Sequence, residues 1–213
     1  YFVLGQAKFG KAPSGERLER ILKSPHYKNG KFNNLNQTPQ LAEDTSMPEI
    51  MFRFLFGKTP DKRPAQEFHF QKTDLKKLDP SQNAYVWMGH SSYFMQIDGK
   101  KILVDPVLSG YASPFSFTGK AFRGTDLYKP EDIPELDYLI ITHDHWDHLD
   151  YKTVLKLFPK TKKIITGLGT AEHLEYWGYN PKNIVELDWF ESSDLGDGFN
   201  VTAEPARHFS GRG

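Results

Sequence analysis

Three of the chain's eight histidines fall within six residues, in Thr142-His143-Asp144-His145-Trp146-Asp147-His148-Leu149-Asp150. This segment constrains the fold more than any other. It follows the apolar run Tyr138-Leu139-Ile140-Ile141 and precedes a helical pattern from Tyr151 to Phe158. A cluster at the carboxyl end of a buried strand lies where open α/β sheets place their chemistry. Neutral imidazoles suit Zn, Fe, Cu or Ni, and a carboxylate among them favours a hydrolytic or oxygen-handling site. In extended chain His143 and His145 project to the same side and can grip one ion. Asp147 and His148 lie a turn further on and point to a second position. Two-metal sites hold their ions roughly 3.5–4 Å apart, a distance that so compact a loop can bridge. Asp150 is placed to cap the following helix.

The pattern around this loop predicts an α/β fold. Strands are expected at Tyr85 to Met88, Tyr93 to Ile97 and Lys101 to Val104, with Asp98-Gly99 as a hairpin turn between the last two. Residues 105–136 form a long loop rich in glycine, proline, serine and aromatics, longer than mere connection needs. After strand Tyr138 to Ile141 come helix 151–158, strand Lys163 to Thr166, helix 170–177, and strands Ile184 to Leu187 and Asn200 to Ala203.

Residues 1–80 read instead as an irregular polar lead-in with short helices, and residues 81–213 as the unit that carries the chemistry. Ser14 is placed to cap a helix through Glu16 to Leu22 that stops before Ser24-Pro25. Asn33 to Gln40 reads as an exposed connector. Met47-Pro48-Glu49-Ile50-Met51-Phe52-Arg53-Phe54-Leu55-Phe56 predicts a helix with an apolar stripe of Met47, Ile50, Met51, Phe54 and Leu55. Packing of that stripe on the main domain is the first expectation. The alternative is a surface that meets lipid or lines a substrate groove, although only Arg53 and Lys58 supply positive charge there.

The His-x-His-x-Asp-His pattern after an apolar strand resembles the metallo-β-lactamase superfamily, whose domains are αββα sandwiches with a metal site at one edge. The likeness continues through Tyr85 to Ser92, Lys101 to Pro106, Ala112-Ser113-Pro114, Glu186 to Trp189 and Pro205 to Ser210. It covers roughly residues 84–213, and the stretch from Lys8 to Pro25 also looks like the lead-in of bacterial members. This series is similar to the branch containing N-acylphosphatidylethanolamine-hydrolysing phospholipase D, with the L-ascorbate-6-phosphate lactonases in a neighbouring branch.

The resemblance implies two Zn2+ per complete domain. His143, His145 and His208 would hold one, with the fourth position open as in catalytic zinc. Asp147 and His148 would hold the other, and Asp147 would also position the proton of a metal-bound hydroxide. Asp105, read from residues alone as a strand terminator, would brace a ligand histidine. His90 stays open between a turn histidine and a substrate-facing one. Asp144 and Trp146 would shape the loop, His173 reads as a surface residue, and His26 and His69 as structural. The family normally adds a bridging aspartate and a further histidine from its second half. No residue before Gly213 has their context, so the expectation is that only the N-terminal half of the sandwich is represented, or else a half-domain that relies on a partner.

The implied activity is zinc-dependent hydrolysis at a binuclear site, first as a phosphodiesterase on a lipid-like substrate. A lactonase or other carbonyl hydrolase is the alternative, and a non-catalytic metal-binding module the third reading. Tyr111, Phe115, Phe117, Phe122 and Tyr128 could accept an acyl chain, or pack against the lead-in. Lysine plus arginine (27) equals aspartate plus glutamate (27), so the basic stripe of a nucleic-acid binder is not expected. The absence of cysteine excludes disulfides and thiolate ligands. No run approaches the ~18 apolar residues of a membrane span. Tyr1-Phe2-Val3-Leu4 is read as a candidate remnant of a removed signal or anchor, which would make the protein envelope- or membrane-associated and leaves peripheral membrane contact open.

Overall fold

The computed structural model describes residues 5–36, 38–39, 41–42, 44–57, 60 and 63–212. The readings of Tyr1 to Leu4, Lys58, Gln40 and Gly213 therefore fall outside the described residues. In chain order the main elements are α1 (Gly15–Lys23), β1 (Tyr27–Lys28), β2 (Lys31–Phe32), α2 (Met47–Phe56), β3 (Ala84–Gly89), β4 (Ser92–Ile97), β5 (Lys100–Val104), β6 (Leu136–Ile141), α3 (Tyr151–Leu157), β7 (Thr161–Gly167), α4 (Ala171–Tyr176), β8 (Ile184–Leu187), β9 (Ser192–Gly196) and β10 (Phe199–Thr202).

Strands β3 to β8 form one six-stranded sheet in sequence order. The first three pair antiparallel through tight turns, and β5, β6, β7 and β8 are parallel. Asp98 and Gly99 both take positive φ (48° and 77°), the geometry of a two-residue hairpin turn. Parallel neighbours need crossovers, which α3 and α4 supply between β6 and β7 and between β7 and β8.

The two faces of the sheet are covered differently. Phe94, Leu103, Leu139, Ile141 and Ile164 point to one face and are wholly buried with Leu149, Val154, Leu157 and Leu174 around the helices. Truncating such a residue to alanine typically costs about 2–5 kcal/mol. On the other face Ile102, Val104, Tyr138 and Ile165 form a smaller cluster, joined by Leu195, Phe199 and Val201 of the β9–β10 hairpin. Tyr85 and Trp87 of β3 lie on this face and are exposed. Strand β9 escapes a sequence reading because Ser192-Ser193-Asp194 is polar and poor in β-formers.

The lead-in is more firmly attached than its polarity suggests. Helix α1 buries Ile21 and sends Arg17 to Glu172, Glu175 and Glu186 on α4 and β8. Burial opposes charge on Arg17, but these carboxylates outweigh it and push the guanidinium pKa up. Ser14 precedes α1 as expected but makes no side-chain cap; its hydroxyl donates to Glu172 Oε1 at 3.3 Å. Helix α2 corrects the first expectation for its stripe. Ser46 caps it by accepting from the Glu49 N–H, yet none of its residues is buried, and Phe54 is 78% exposed. No described helix is long and apolar enough to cross a membrane.

Candidate metal centre

The carboxyl ends of β5 and β6 lie side by side, because Val104 pairs with Ile140 in parallel register. That adjacency brings Asp105 to the start of the histidine loop. Asp105 takes a left-handed φ of 43°, a costly conformation for a non-glycine residue. Its carboxylate bonds show what holds it there. Oδ1 accepts the Thr142 N–H (2.8 Å), and Oδ2 accepts the Thr142 hydroxyl (2.7 Å) and lies 2.8 Å from His148 Nδ1.

These contacts set the ring tautomers. A carboxylate can only accept, so His148 carries its proton on Nδ1 and leaves Nε2 as a lone pair. Thr142 Oγ1, having given its hydrogen to Asp105, accepts from His143 Nδ1 at 2.9 Å. His143 Nε2 is then a bare acceptor, and it is buried without a hydrogen-bond partner. Leaving a buried polar atom orphaned costs about 1–3 kcal/mol, unless an ion takes the place of the missing donor.

Two groups of ligand atoms surround it. His143, His145 and His208 offer nitrogens within 4.8 Å of one another, and two nitrogens of His90 and His148 with a carboxylate oxygen of Asp147 lie within the same distance among themselves. His145 Nδ1 and His208 Nε2 are 3.0 Å apart, and the His143 and His148 rings approach to 3.9 Å between centroids. The two groups therefore adjoin. The donor set is nitrogen with one carboxylate, which fits the borderline divalent metals and lacks the oxygen-rich shell of calcium.

Electrostatics separate the groups. Burial, then the neighbouring imidazoles His148, His145 and His208, depress His143 to about 4. Burial and His208 likewise lower His145. Burial also opposes charge on His148, but Asp105 overrides it and raises its pKa. For Asp147 burial works upward, yet the His90 contact (Nε2 to Oδ2, 2.9 Å) and the His148 charge keep its pKa low. His143 and His145 are thus held towards the neutral form that ligates, while the second group contains a carboxylate held towards its ionised form.

All of the expected site residues meet here, and His90 falls among the potential ligands of the second group. It sits in the β3–β4 turn with φ 46° and is largely exposed. Asp144 is buried beneath the loop and accepts from Ser210 Oγ (2.7 Å) and the Gly211 N–H (3.2 Å). Gly211 approaches His145 so closely that a Cβ would stand 3.0 Å from Nε2. The surface reading of His173 is corrected. Its ring is mostly covered, Nδ1 accepts the Lys11 N–H (3.1 Å), and Nε2 lies 3.9 Å from Asp144. Gly10 makes this possible, since it has φ 77° and a Cβ there would collide with the ring at 2.1 Å. Sequence reasoning also missed Thr142 and Arg212. His26 packs against Trp189, and His69 is exposed.

An open cavity of ≈ 390 Å³ lies over the loop, lined by His90, Ala112, His145, Trp146, Asp147 and Gly211. A larger hollow of ≈ 740 Å³ lies by Arg17, Glu175 and Ser193, away from every ligand cluster. Size favours the second; chemistry favours the first. Of the loop aromatics, Phe117 and Phe122 are exposed and Phe115 stacks on Phe117 at 5.6 Å. Tyr128 is instead a core residue bonded through its hydroxyl to the Thr73 N–H, so it is removed from any acyl pocket.

A parallel sheet edge with two adjoining imidazole-rich clusters and an open cavity above them defines a metal-ligating α/β domain. Residues 100–213 match the β-lactamase superfamily domain, and the chain belongs to that superfamily. An uncharacterised protein of Mycobacterium bovis is 35% identical over 190 residues, covering 89% of this chain and 51% of that protein. N-acyl-phosphatidylethanolamine-hydrolyzing phospholipase D 1 of Caenorhabditis elegans is 34% identical over 137 residues, 60% of this chain and 38% of the relative. A metal-dependent hydrolase of Pyrobaculum neutrophilum is 29% identical over 129 residues, 60% and 51% respectively. The chain therefore spans about half the length or less of these relatives. Among solved structures, the diiron β-hydroxylase CmlA of Streptomyces venezuelae superposes with a TM-score of 0.45 at 29% identity, over 58% of this chain and 24% of that one.

Proposed function

We propose that the protein is a metal-dependent hydrolase with a binuclear zinc site that cleaves a phosphodiester in a lipid-like substrate. The observation that carries this reading is the buried, partnerless His143 Nε2 between two adjoining ligand clusters. Likeness to a phospholipase that hydrolyses N-acylphosphatidylethanolamine supports the substrate class.

His143, His145 and His208 would hold one ion and Asp147 and His148 the other, with His90 as a further ligand to the second. Bound metals acidify water towards neutral pH and neutralise charge that develops on a phosphoryl group. The chain's own residues do the rest. Thr142 and Asp105 hold the Nδ1 protons of His143 and His148, so that in each neutral ring Nε2 is the atom that can ligate. Asp147, held ionised by the His90 contact, offers Oδ2 as a ligand and as a proton acceptor. Ala112 lines the cavity, and the exposed Phe115 and Phe117 follow it in the same loop, apolar surface that suits an acyl chain. Neither nucleic acid as a partner nor a spanning anchor is part of this reading; contact with membrane would be peripheral.

The test is hydrolysis of N-acylphosphatidylethanolamine and of bis(p-nitrophenyl) phosphate by zinc-loaded protein, before and after chelation. Turnover of both, lost on chelation and restored by zinc, is expected. Undiminished turnover without metal, or hydrolysis of lactones with no phosphodiester cleavage, would overturn it.

A further inference from the structure

Arg212 lies four residues beyond His208 and is only 4% exposed. Its guanidinium is spent on main-chain carbonyls. Nη1 donates to Asp144 O (3.0 Å) and Leu149 O (2.7 Å), while Nε and Nη2 donate to Lys8 O (3.2 and 3.1 Å). The group is stacked 4.2 Å from the Trp146 ring centroid and 4.9 Å from that of Trp177. Burying a cation costs several kcal/mol in lost hydration, so charge placed this deep needs such full hydrogen bonding to persist.

The acceptors identify what is held. Asp144 and Leu149 bracket the turn that carries His145, Asp147 and His148. The segment that bears Arg212 also carries His208, and Ser210 and Gly211 bond to the Asp144 carboxylate. Lys8 belongs to the lead-in, which is fastened beside it by the bond from Trp177 Nε1 to Ala7 O (2.7 Å) and by Phe9 edge-on to Trp146 at 5.3 Å. Three segments distant in sequence thus converge on one side chain.

We propose that Arg212 is a positioning residue that preassembles the metal centre by locking the His208 segment and the lead-in onto the histidine loop. Without it, the bonds from Ser210 and Gly211 to Asp144 would be left to hold the His208 segment to the loop, and the ion itself would have to fix more of the mutual placement of His145, Asp147, His148 and His208. The metal would then bind more weakly, and in altered geometry. Loss of an outer-shell partner typically costs about 10–100-fold in metal affinity.

The inference rests on the metal reading above, and the experiment separates the two. Zinc affinity by chelator competition, and the visible absorption of the Co2+-substituted protein, are measured for the wild type, R212M, R212K and R17M. R212M is expected to lose about 10–100-fold in zinc affinity and to shift the cobalt bands. R212K, which keeps the charge but not the planar fork, should show an intermediate loss. R17M cuts the lead-in's bonds to Glu172, Glu175 and Glu186 without touching the loop; it should lower thermal stability and keep wild-type affinity and spectrum. Wild-type affinity and spectrum in R212M would overturn the proposal, as would an equal loss in R17M. Should R212M not fold, a wild-type result for R212K overturns it equally. A wild type that binds neither ion would instead sink the metal reading itself.

Discussion

The histidine loop and helix α2 carry the two strongest local patterns in the chain, and they end in opposite situations. In the loop, Asp105, Thr142, Asp144 and Arg212 supply a partner for almost every polar group, and Leu149 is wholly buried. In α2 the cap forms and the helix is regular, yet every large apolar side chain is exposed. A period of 3.6 residues establishes that a helix has an apolar side. It does not establish what meets that side. Of the loop's partners, the family resemblance implies Asp105 and Asp144, while Thr142 and Arg212 leave no trace in the sequence.

The largest effect that would sharpen this contrast is loss of a ligand. His143→Ala is expected to remove activity and to cost metal affinity beyond the about 10–100-fold typical of an outer-shell loss. Titration calorimetry with zinc would check it, and retained tight binding at two sites would break the account. A packing test comes next. Leu149→Ala should cost about 2–5 kcal/mol in urea unfolding, whereas Phe54→Ala in α2 should stay within about 0.5 kcal/mol. Equal costs would erase the distinction between the two regions.

Asp105→Asn should act on one cluster. It removes the carboxylate that orients His148, so the second ion should bind about 10–100-fold more weakly, while the first is retained. Stepwise release to a chelator would show this as a changed ratio of fast to slow zinc.

A smaller effect concerns pH in the metal-free protein. His143 is depressed to about 4, so the folded state resists a proton that the unfolded chain accepts below its ordinary value of 6.5. Its contribution to stability is therefore lost as pH falls from 6.5 through 4. His148 is raised by Asp105, so its contribution is present below 6.5 and is lost as pH rises through its folded value. Imidazole nitrogen shifts by NMR should show the two rings titrating on opposite sides of 6.5; coincident titration would contradict the assignment of their partners.

Much of the framework was legible because periodicity reports local structure. The strands β3 to β8 and helices α3 and α4 follow alternation and 3.6-residue patterns, and Asp98-Gly99 marked its hairpin. Four of the six candidate ligands are legible because six residues gather them; His208 is implied by the family resemblance, and the sequence leaves His90 open. Other features are tertiary and leave no local trace. Arg212 bonds to carbonyls at positions 8, 144 and 149, and a carbonyl has the same sequence signature everywhere. His173 reads as a surface residue beside Glu172 and Glu175 until Gly10 and Lys11 of the lead-in are laid over it. Strand β9 was masked by its serines, and the exposure of α2 reversed the packing that its stripe suggested.

The central claim is that two adjoining clusters each hold an ion. Metal content per polypeptide tests it most directly, measured by elemental analysis after zinc reconstitution and removal of free ion. The account predicts two zincs per chain, falling when His143 is replaced. One ion or none in the wild type, with the fold intact by circular dichroism, would contradict it.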